Sequence, residues 1–400
     1  MGATLSTVSA ITKEVYGPRI VDQLESETTL LKRIEKTSQG TTSEVGGRYV
    51  TFPLKVRRNA GIGYRNENET LQAAGQQGWN SVRVPLKYGY GRVLMTGQTL
   101  ELVNENYQAF ASAMTEEMTG LKDDIKKDTN RILWGNGLGV LGTLDAVEPI
   151  AEVSISLGTN ADSLKYIDMD MVVDILDATG VTVKAAGVTV TGLNFATGDM
   201  TISPGMTIAT VAGDIVVRQG NFGREPQGMT SLVSNTTAAL FNLSSTAEPL
   251  WSSTVDSTGG ALSESKMISM ADGIRTNGGR PSAIFTDLGT RRAYFNLLTT
   301  QRRFTGNSTF EGGFTGLTFA YDSDIPVVTD VDAPAGKMWF VDESAFKVYR
   351  SKPWHWEDRD GGTWKWVQNK DAFEALIKQY WEFAINRRNT SAVMTGITPG

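Results

Sequence analysis

Apolar residues are spaced differently in successive stretches of the chain, and the spacing predicts the elements. Behind Pro18, a residue suited to a first helical turn, Ile20, Val21, Leu24, Leu31 and Ile34 recur at helical intervals until Gly40 and its Thr and Ser neighbours end the helix. This first stretch holds too few large apolar residues to build a core, so it is expected to lie on something else. From Gly46 to about Thr96 the period falls to two: Arg48-Tyr49-Val50-Thr51-Phe52 and Ser81-Val82-Arg83-Val84 alternate like half-exposed strands. Between them, Asn59 to Gly78 is rich in Gly, Asn, Gln and Glu. The pattern predicts a long two-stranded excursion with a polar tip, which is marginal alone in water and calls for a partner surface.

The strongest periodic signal follows. Leu100, Val103, Tyr107, Phe110, Met114, Met118, Leu121, Ile125 and Ile132 form one stripe down a helix expected from about Gln98 to Trp134, broken only by Gly120. Eleven of residues 100–135 are charged, so the helix reads as a surface helix with one buried stripe. Val181 to Val217 has the opposite character, with Lys184, Asp199 and Asp214 its only charged residues among repeated Val-Thr-Val, Gly and Asn. It reads as short antiparallel strands in an inserted β subdomain. Residues 231–320 mix polar loops with helical stretches at Ser265–Asn277 and Leu288–Thr299. Strands return at Ile325–Thr329 and Met338–Val341, and the apolar tail after Asp371 fits neither period cleanly.

Composition narrows the chemistry. The 400 residues contain no cysteine and one histidine, His355, which excludes disulfides, thiolate metal sites, cysteine nucleophiles and two-imidazole relays. Net charge is −6, against a protein built mainly to coat nucleic acid. No stretch is long and apolar enough to predict a membrane-spanning helix. Met1–Ser6 fits the loose myristoylation pattern, but no polybasic segment follows to add a second anchor, and a soluble protein used inside a cell is expected.

Motifs that carry catalysis elsewhere fail on context. Gly137-Leu138-Gly139-Val140-Leu141-Gly142 matches G-x-G-x-x-G, yet a helix precedes it and β text follows, the reverse of a dinucleotide turn. Ala335-Gly336-Lys337-Met338 lacks the first glycine and the Ser/Thr of a phosphate loop. Asp168, Asp170 and Asp174 lack the glycine and terminal glutamate of a calcium loop, and there is no G-x-S-x-G elbow. No catalytic residue, cofactor or metal is expected.

Two other features point to surfaces. Trp354, Trp356, Trp364 and Trp366 flank Arg359-Asp360-Gly361, which reads as a hairpin loop. Centring that hairpin on Asp360 sets Trp356 opposite Trp364 and Trp354 opposite Trp366, with all four indoles on one face and His355 on the other. Such a face is either a sugar-stacking platform or, the reading favoured here, an aromatic plug against a core or a neighbouring subunit. Residues 55–92 hold Lys55, Arg57, Arg58, Arg65, Arg83, Lys87 and Arg92 against Glu67 and Glu69, a net +5 that leaves −11 for the rest. That basic excursion could bind nucleic acid or lie across another copy of the same acidic body.

Arm helix, polar-tipped β excursion, long charged helix, β insertion and mixed core, in that order, resemble the tailed-phage major capsid proteins of the HK97-type fold. The most telling text is Arg57-Arg58-Asn59-Ala60-Gly61-Ile62-Gly63 through Gln76-Gln77-Gly78-Trp79, with Arg387-Arg388-Asn389-Thr390-Ser391-Ala392-Val393 similar to a closing strand. The resemblance implies an α+β fold with an N-arm (1–45), an extended β-hairpin E-loop (46–97) and a spine helix opening the peripheral domain (98–144). It further implies a β insertion domain (145–230), a mostly axial domain (231–330), and peripheral-domain closing strands (331–400). It implies a non-enzymatic virion protein that assembles with itself as hexamers and pentamers into an icosahedral shell round double-stranded DNA. Portal, scaffolding and decoration proteins would be partners, with assembly in the bacterial host cytoplasm and no membrane. Inter-subunit contact is then expected at Arg57, Arg58, Arg65, Glu67, Glu69, Trp79, Arg83, Trp354, Trp356, Trp364 and Trp366. An acidic body suits a shell lining past which DNA must slide. Two rivals share parts of this reading: an encapsulin-like compartment, and a β-rich carbohydrate-binding protein using the tryptophans. Some shells of this family join an E-loop lysine to an asparagine of a neighbour; here Val56 to Leu86 has no lysine, so a non-covalent shell is expected.

Overall fold

The computed structural model describes residues 29–37, 42–44, 49–98, 107–158, 164–301, 308–309, 315–358 and 362–400. The expectations for the arm before Thr29, for helix residues 99–106 and for the Arg359–Gly361 loop lie outside the described residues. The chain divides into two units, one formed by Met1–Trp134 with Pro226–Gly400 and the other by Gly135–Glu225.

In the main unit, one sheet is organised by a single 14-residue strand, β21 (Ala372–Ile385). Along one edge it pairs antiparallel over ten residues with β4 (Lys87–Thr96). Along the other edge lie, in succession, β20 (Trp364–Trp366), β19 (His355–Trp356) and β18 (Phe346–Arg350), with β1 (Thr42–Glu44) parallel to β18 beyond. The tail fitted neither period because the last five residues of β21 are buried on both faces, which removes the polar half of the alternation.

This pairing corrects the tryptophan hairpin. β19 and β20 do not face each other; both pair with β21, Trp356 opposite Ile377 and Trp364 opposite Ala375. A local turn signal suggested the nearest partner, whereas the strand both segments use begins eight residues after β20 starts. The shared face survives by another route, since Trp356, Trp364 and Trp366 stand opposite Ile377, Ala375 and Phe373, alternate residues of one strand.

The helix α2 (Tyr107–Trp134) covers that face. Its Met118, Leu121 and Ile125 meet Val93, Met95, Trp356, Trp364, Ala375 and Ile377 in one cluster. Gly91 of β4 permits the approach: a Cβ there would sit 2.8 Å from Ile377, 3.1 Å from Ile125 and 3.3 Å from Leu121. The helix is less a surface element than its charge suggests, because Lys122, Lys126 and Arg131 are also buried. Lys126 pairs with Asp123 and Arg131 with Asp128, each at 2.9 Å and three residues apart on one face.

A second six-stranded sheet runs in the order β11 (Thr254–Asp256), β22 (Ala392–Met394), β17 (Met338–Val341), β12 (Ala283–Thr286), β16 (Asp324–Thr329), β15 (Thr318–Ala320). Residues of α4 (Glu264–Thr276) and α5 (Leu288–Gln301) share its apolar cluster through Met267, Met270, Ile274 and Tyr294. Ser263 caps α4 by accepting the Lys266 amide at 3.3 Å. A two-stranded pairing joins β13 (Ser308–Thr309) and β14 (Thr315–Gly316). Between the two sheets the largest cluster gathers Leu30 and Ile34 of α1 (Thr29–Thr37) with Trp134, Trp251, Phe285, Trp339, Phe346 and Phe383. The arm helix therefore rests on the body, and Arg33 fixes it with an ion pair to Glu343 at 2.8 Å.

Burial displaces the pKa of two ionisable groups of this unit strongly, Arg388 and Glu382. Arg388 donates through Nε to the Leu232 carbonyl (3.0 Å) and through its terminal nitrogens to the carbonyls of Trp251 (3.3 Å) and Ser231 (3.1 Å) and to Ser234 Oγ (2.5 Å). It thereby serves the carbonyls at the end of the short helix α3 (Met229–Leu232), and burial pulls its pKa down to about 10. Glu382 of β21 is fully buried, accepts the Gln227 amide at 2.5 Å, and has its pKa pushed up to about 8 by burial.

The second unit is a six-stranded antiparallel sheet in the order β5 (Val140–Thr143), β10 (Ile215–Arg218), β7 (Val172–Leu176), β8 (Val183–Asn194), β9 (Asp199–Ser203), β6 (Ser154–Ser156). Its core of Ile155, Val173, Ile175, Val188, Val190, Met200, Ile202 and Val216 is its own. The sequence reading set this region at 145–230; the unit runs from 135 to 225. Gly137 and Gly139 take positive φ in the turn between α2 and β5, so the glycine motif ends a helix and opens a strand. Asp174 accepts the amides of Gly187 and Gly220, both at 2.7 Å, which gives this acid a structural task.

Candidate assembly surfaces

The hairpin of β2 (Tyr49–Arg57) and β3 (Gly78–Pro85) has two faces with different duties. Val82 and Val84 are fully buried in the main cluster, and Val50, Phe52 and Leu54 pack against it. Tyr49, Thr51, Pro53, Lys55, Trp79, Ser81 and Arg83 point outward, with Lys55 opposite Trp79 and Thr51 opposite Arg83. The base is pinned by Asn242, whose Oδ1 accepts the Arg83 amide at 2.7 Å while its Nδ2 donates to the Ser81 carbonyl at 3.0 Å. Arg83 lies 5.8 Å from the centre of the Tyr49 ring, a cation–π contact.

Beyond Arg57 and Gly78 no ladder continues, and the tip is held by side chains. Asn59 Oδ1 accepts the Gly61 amide (2.7 Å), and Gln72 Nε2 donates to the Gly61 carbonyl (2.8 Å). Gly61 and Gly75 let the two runs touch: a Cβ on Gly75 would fall 2.3 Å from Asn59 Oδ1 and 2.6 Å from the Gly61 nitrogen. At the far end, Glu69 accepts from the Asn66 amide (3.1 Å) and side chain (2.9 Å), bonds that lower its pKa. Ile62, Tyr64 and Leu71 are exposed there, Tyr64 at 99%.

The basic residues of this excursion are spread along it. Arg57 is exposed and 3.9 Å from Glu248 of its own chain, and Arg58, Arg65 and Glu67 are exposed at the tip. Of the tryptophans, Trp79 (61%) and Trp366 (57%) are exposed, Trp354 lies partly buried over Gly89, and Trp356 and Trp364 are inside the cluster under α2. His355 points to the opposite face from Trp356, with its Nδ1 2.9 Å from the Pro353 carbonyl. Missed by the sequence reading were Tyr88 and Tyr90 of β4, both exposed and edge-on to Tyr380; alternation in Lys87–Thr96 carried that signal. Among the described residues no cluster of acids or histidine is arranged to hold a metal, and no helix is long and apolar enough to cross a membrane.

Comparison with known proteins adds a family and a fold. The family model of the SU10 major capsid protein matches residues 209–398. A search of curated proteins gave no significant match. Among solved structures, the capsid asymmetric unit of cyanophage A-1(L) aligns with a TM-score of 0.50 and 14% identity over 93% of each chain. The capsid of a native GTA particle aligns with a TM-score of 0.50 and 9% identity over 93% of this chain and 91% of that one. At such identities the structures speak for a common fold. The chain thus shares the HK97-like fold of these capsid structures, and its residues 209–398 are similar to the SU10 major capsid protein family.

Proposed function

We propose that the subunit builds its shell through the excursion 46–97, acting as the E-loop, with α2 as the spine helix behind it. The arm (1–45) and the E-loop reach neighbours; residues 98–134 and 331–400 make the peripheral domain, 231–330 most of the axial domain, and the unit 135–225 the insertion. Hexamers and pentamers close an icosahedral head round double-stranded DNA, with portal, scaffolding and decoration proteins as partners and the host cytoplasm as the place of assembly. The subunit performs no catalysis.

One observation carries this reading. The hairpin spends one face on its own core and extends a tip, from Arg58 to Gln77, that has almost nothing of its own to bury. Such a segment gains its order from a surface the subunit does not supply. Arg57, Arg58, Arg65, Glu67, Glu69, Trp79, Arg83 and Trp366 are then contact residues, while Trp354, Trp356 and Trp364 hold the strand that presents Trp366. Negative-stain microscopy and sedimentation of the expressed protein, with and without its scaffold, test the proposal. Closed shells are expected; monomers alone under every salt, concentration and scaffold condition would overturn it.

A further inference from the structure

We infer that the face of the β21 sheet turned away from α2 carries a binding site for a sugar acid, a pyranose ring bearing one carboxylate. The site uses residues to which the shell reading gives no task, and it stands or falls separately from that reading.

The register builds this face. Trp356, Trp364, Ala375 and Ile377 turn toward α2, so their neighbours in sequence turn outward. Along β21 these are Glu374, Leu376, Lys378 and Tyr380, with Tyr90 of β4 opposite Lys378 and Arg92 opposite Leu376. On the other edge Lys365 stands opposite Glu374, and the Glu357 amide donates to the Leu376 carbonyl at 2.7 Å. Thr363, one residue before β20 and in step with Lys365, comes to the same place. These side chains, Arg92 apart, line a single cavity of about 250 Å³, room for one ring rather than a chain.

The charges of the face do not cancel. Lys378 pairs with Glu357, and Arg92 Nε holds Glu374 at 2.9 Å, so both acids are taken. Lys365 is the third cation, and among the described residues no acid pairs with it. Thr363 is 2% exposed, and its Oγ1 has no hydrogen-bond partner. A hydroxyl shut away from water without a partner costs stability that a valine in its place would not. An unmatched ammonium two residues along one face from an unmatched hydroxyl is a receptor for a single carboxylate, which accepts from both.

The rest of the cavity selects what that carboxylate is attached to. Leu376 is apolar, and Tyr380 is held edge-on by Tyr88 at 4.8 Å and Tyr90 at 6.1 Å, with the Tyr90 and Tyr380 phenol oxygens 3.5 Å apart. A bare anion would leave these walls wet. A pyranose has a C–H face to lay against rings and hydroxyls that both donate and accept, which suits the acceptors of Glu357 and Glu374 and the donors of Lys378 and the phenols. Since the ion pairs are already closed, they can serve hydroxyls without leaving a charge uncompensated. The tryptophan platform raised by the sequence is a different place, because Trp356 and Trp364 lie under α2 on the opposite side of the sheet.

Calorimetric titration of the full chain with methyl glucuronide, methyl glucoside and acetate tests the site. The glucuronide should bind about tenfold more tightly than either of the others, since it alone engages both halves of the cavity. Lys365→Gln should bring its affinity down to that of the glucoside, and Tyr90→Ala toward that of acetate. Thr363→Val should weaken the glucuronide several-fold and leave the melting temperature unchanged or higher, a combination that a hydroxyl serving the fold cannot give. A disaccharide ending in glucuronate separates two sources of the same chemistry: binding as tight as the methyl glucuronide assigns the site to a glycan chain, and exclusion assigns it to a free sugar acid. A wild-type chain that does not prefer the glucuronide to both other probes would overturn the site, as would Lys365→Gln and Thr363→Val chains that bind it like the wild type.

Discussion

Arg388 is buried among carbonyls and a hydroxyl, and its charge is neutralised by dipoles. Truncating it strands the oxygens of Ser231, Leu232 and Trp251 and leaves a cavity, so Arg388→Ala should cost about 3 kcal/mol or more, read from the urea midpoint. Arg388→Lys keeps the charge but offers one nitrogen where a planar fork reached four acceptors, and should recover only part of the loss. An unchanged midpoint in the alanine variant would mean that water serves those oxygens equally well. Glu382 works in the opposite sense. Its pKa is about 8 in the fold against an ordinary 4.5, so the folded state holds a proton that the unfolded chain releases between those values. Its contribution to stability is complete below about pH 4.5 and is lost as pH rises through about 8. Melting temperatures across that window should fall less steeply for Glu382→Gln than for the wild type, and equal slopes would refute the assignment. Neither residue announced itself in the sequence. Arg388 reads as one more basic residue beside Arg387, and Glu382 occupies what looks like the polar position of an alternating strand.

At the scale of elements, local periodicity told the truth where a segment is amphipathic and failed where it is not. The two strands of the excursion and the helices at 264–276 and 288–301 were legible because each has one wet face. β21 was not, since its last five residues have none, and the tryptophan segments were assigned to each other because their real partner lies further along the chain. The helix stripe was read correctly at Met118, Leu121 and Ile125, yet charge on the other faces did not mean exposure at Lys122, Lys126 and Arg131. For the excursion, the exposed guanidinium groups of Arg57 and Arg58 suit an acidic neighbour. Arg57→Glu with Arg58→Glu should impair assembly and leave the subunit folded, with at most a small drop in melting temperature from the lost Arg57–Glu248 pair. One exposed pair is worth roughly 0–1 kcal/mol, but symmetry repeats it in every copy of a shell. Normal shells from the double variant would show this charge to be incidental.

For the whole particle, the chemistry of the excursion predicts how subunits are joined. Lys55 stands in the hairpin ladder opposite Trp79 and Lys87 begins β4, so neither amine reaches the tip, and an arginine's guanidinium is a poor nucleophile. Mature particles boiled in detergent should give a single band near 43.4 kDa, and a ladder that survives boiling would contradict a non-covalent shell. The organisation into two units has a different kind of consequence. Thr230 Oγ1 donates to the Trp134 carbonyl at 2.7 Å, so the main unit has already brought together the two ends between which residues 135–225 leave and return. The excursion through those residues is thus a cassette, wired in at a single closed seam. Replacing it with a linker of about five residues, enough to span the seam at ~3.5 Å each, should leave a truncated subunit that still melts cooperatively, with one calorimetric transition fewer than the parent. A truncated chain that fails to fold would show that the seam is held shut only when the cassette is present. If it folds, the same seam is a socket into which a foreign domain can be plugged, once per subunit over the entire head.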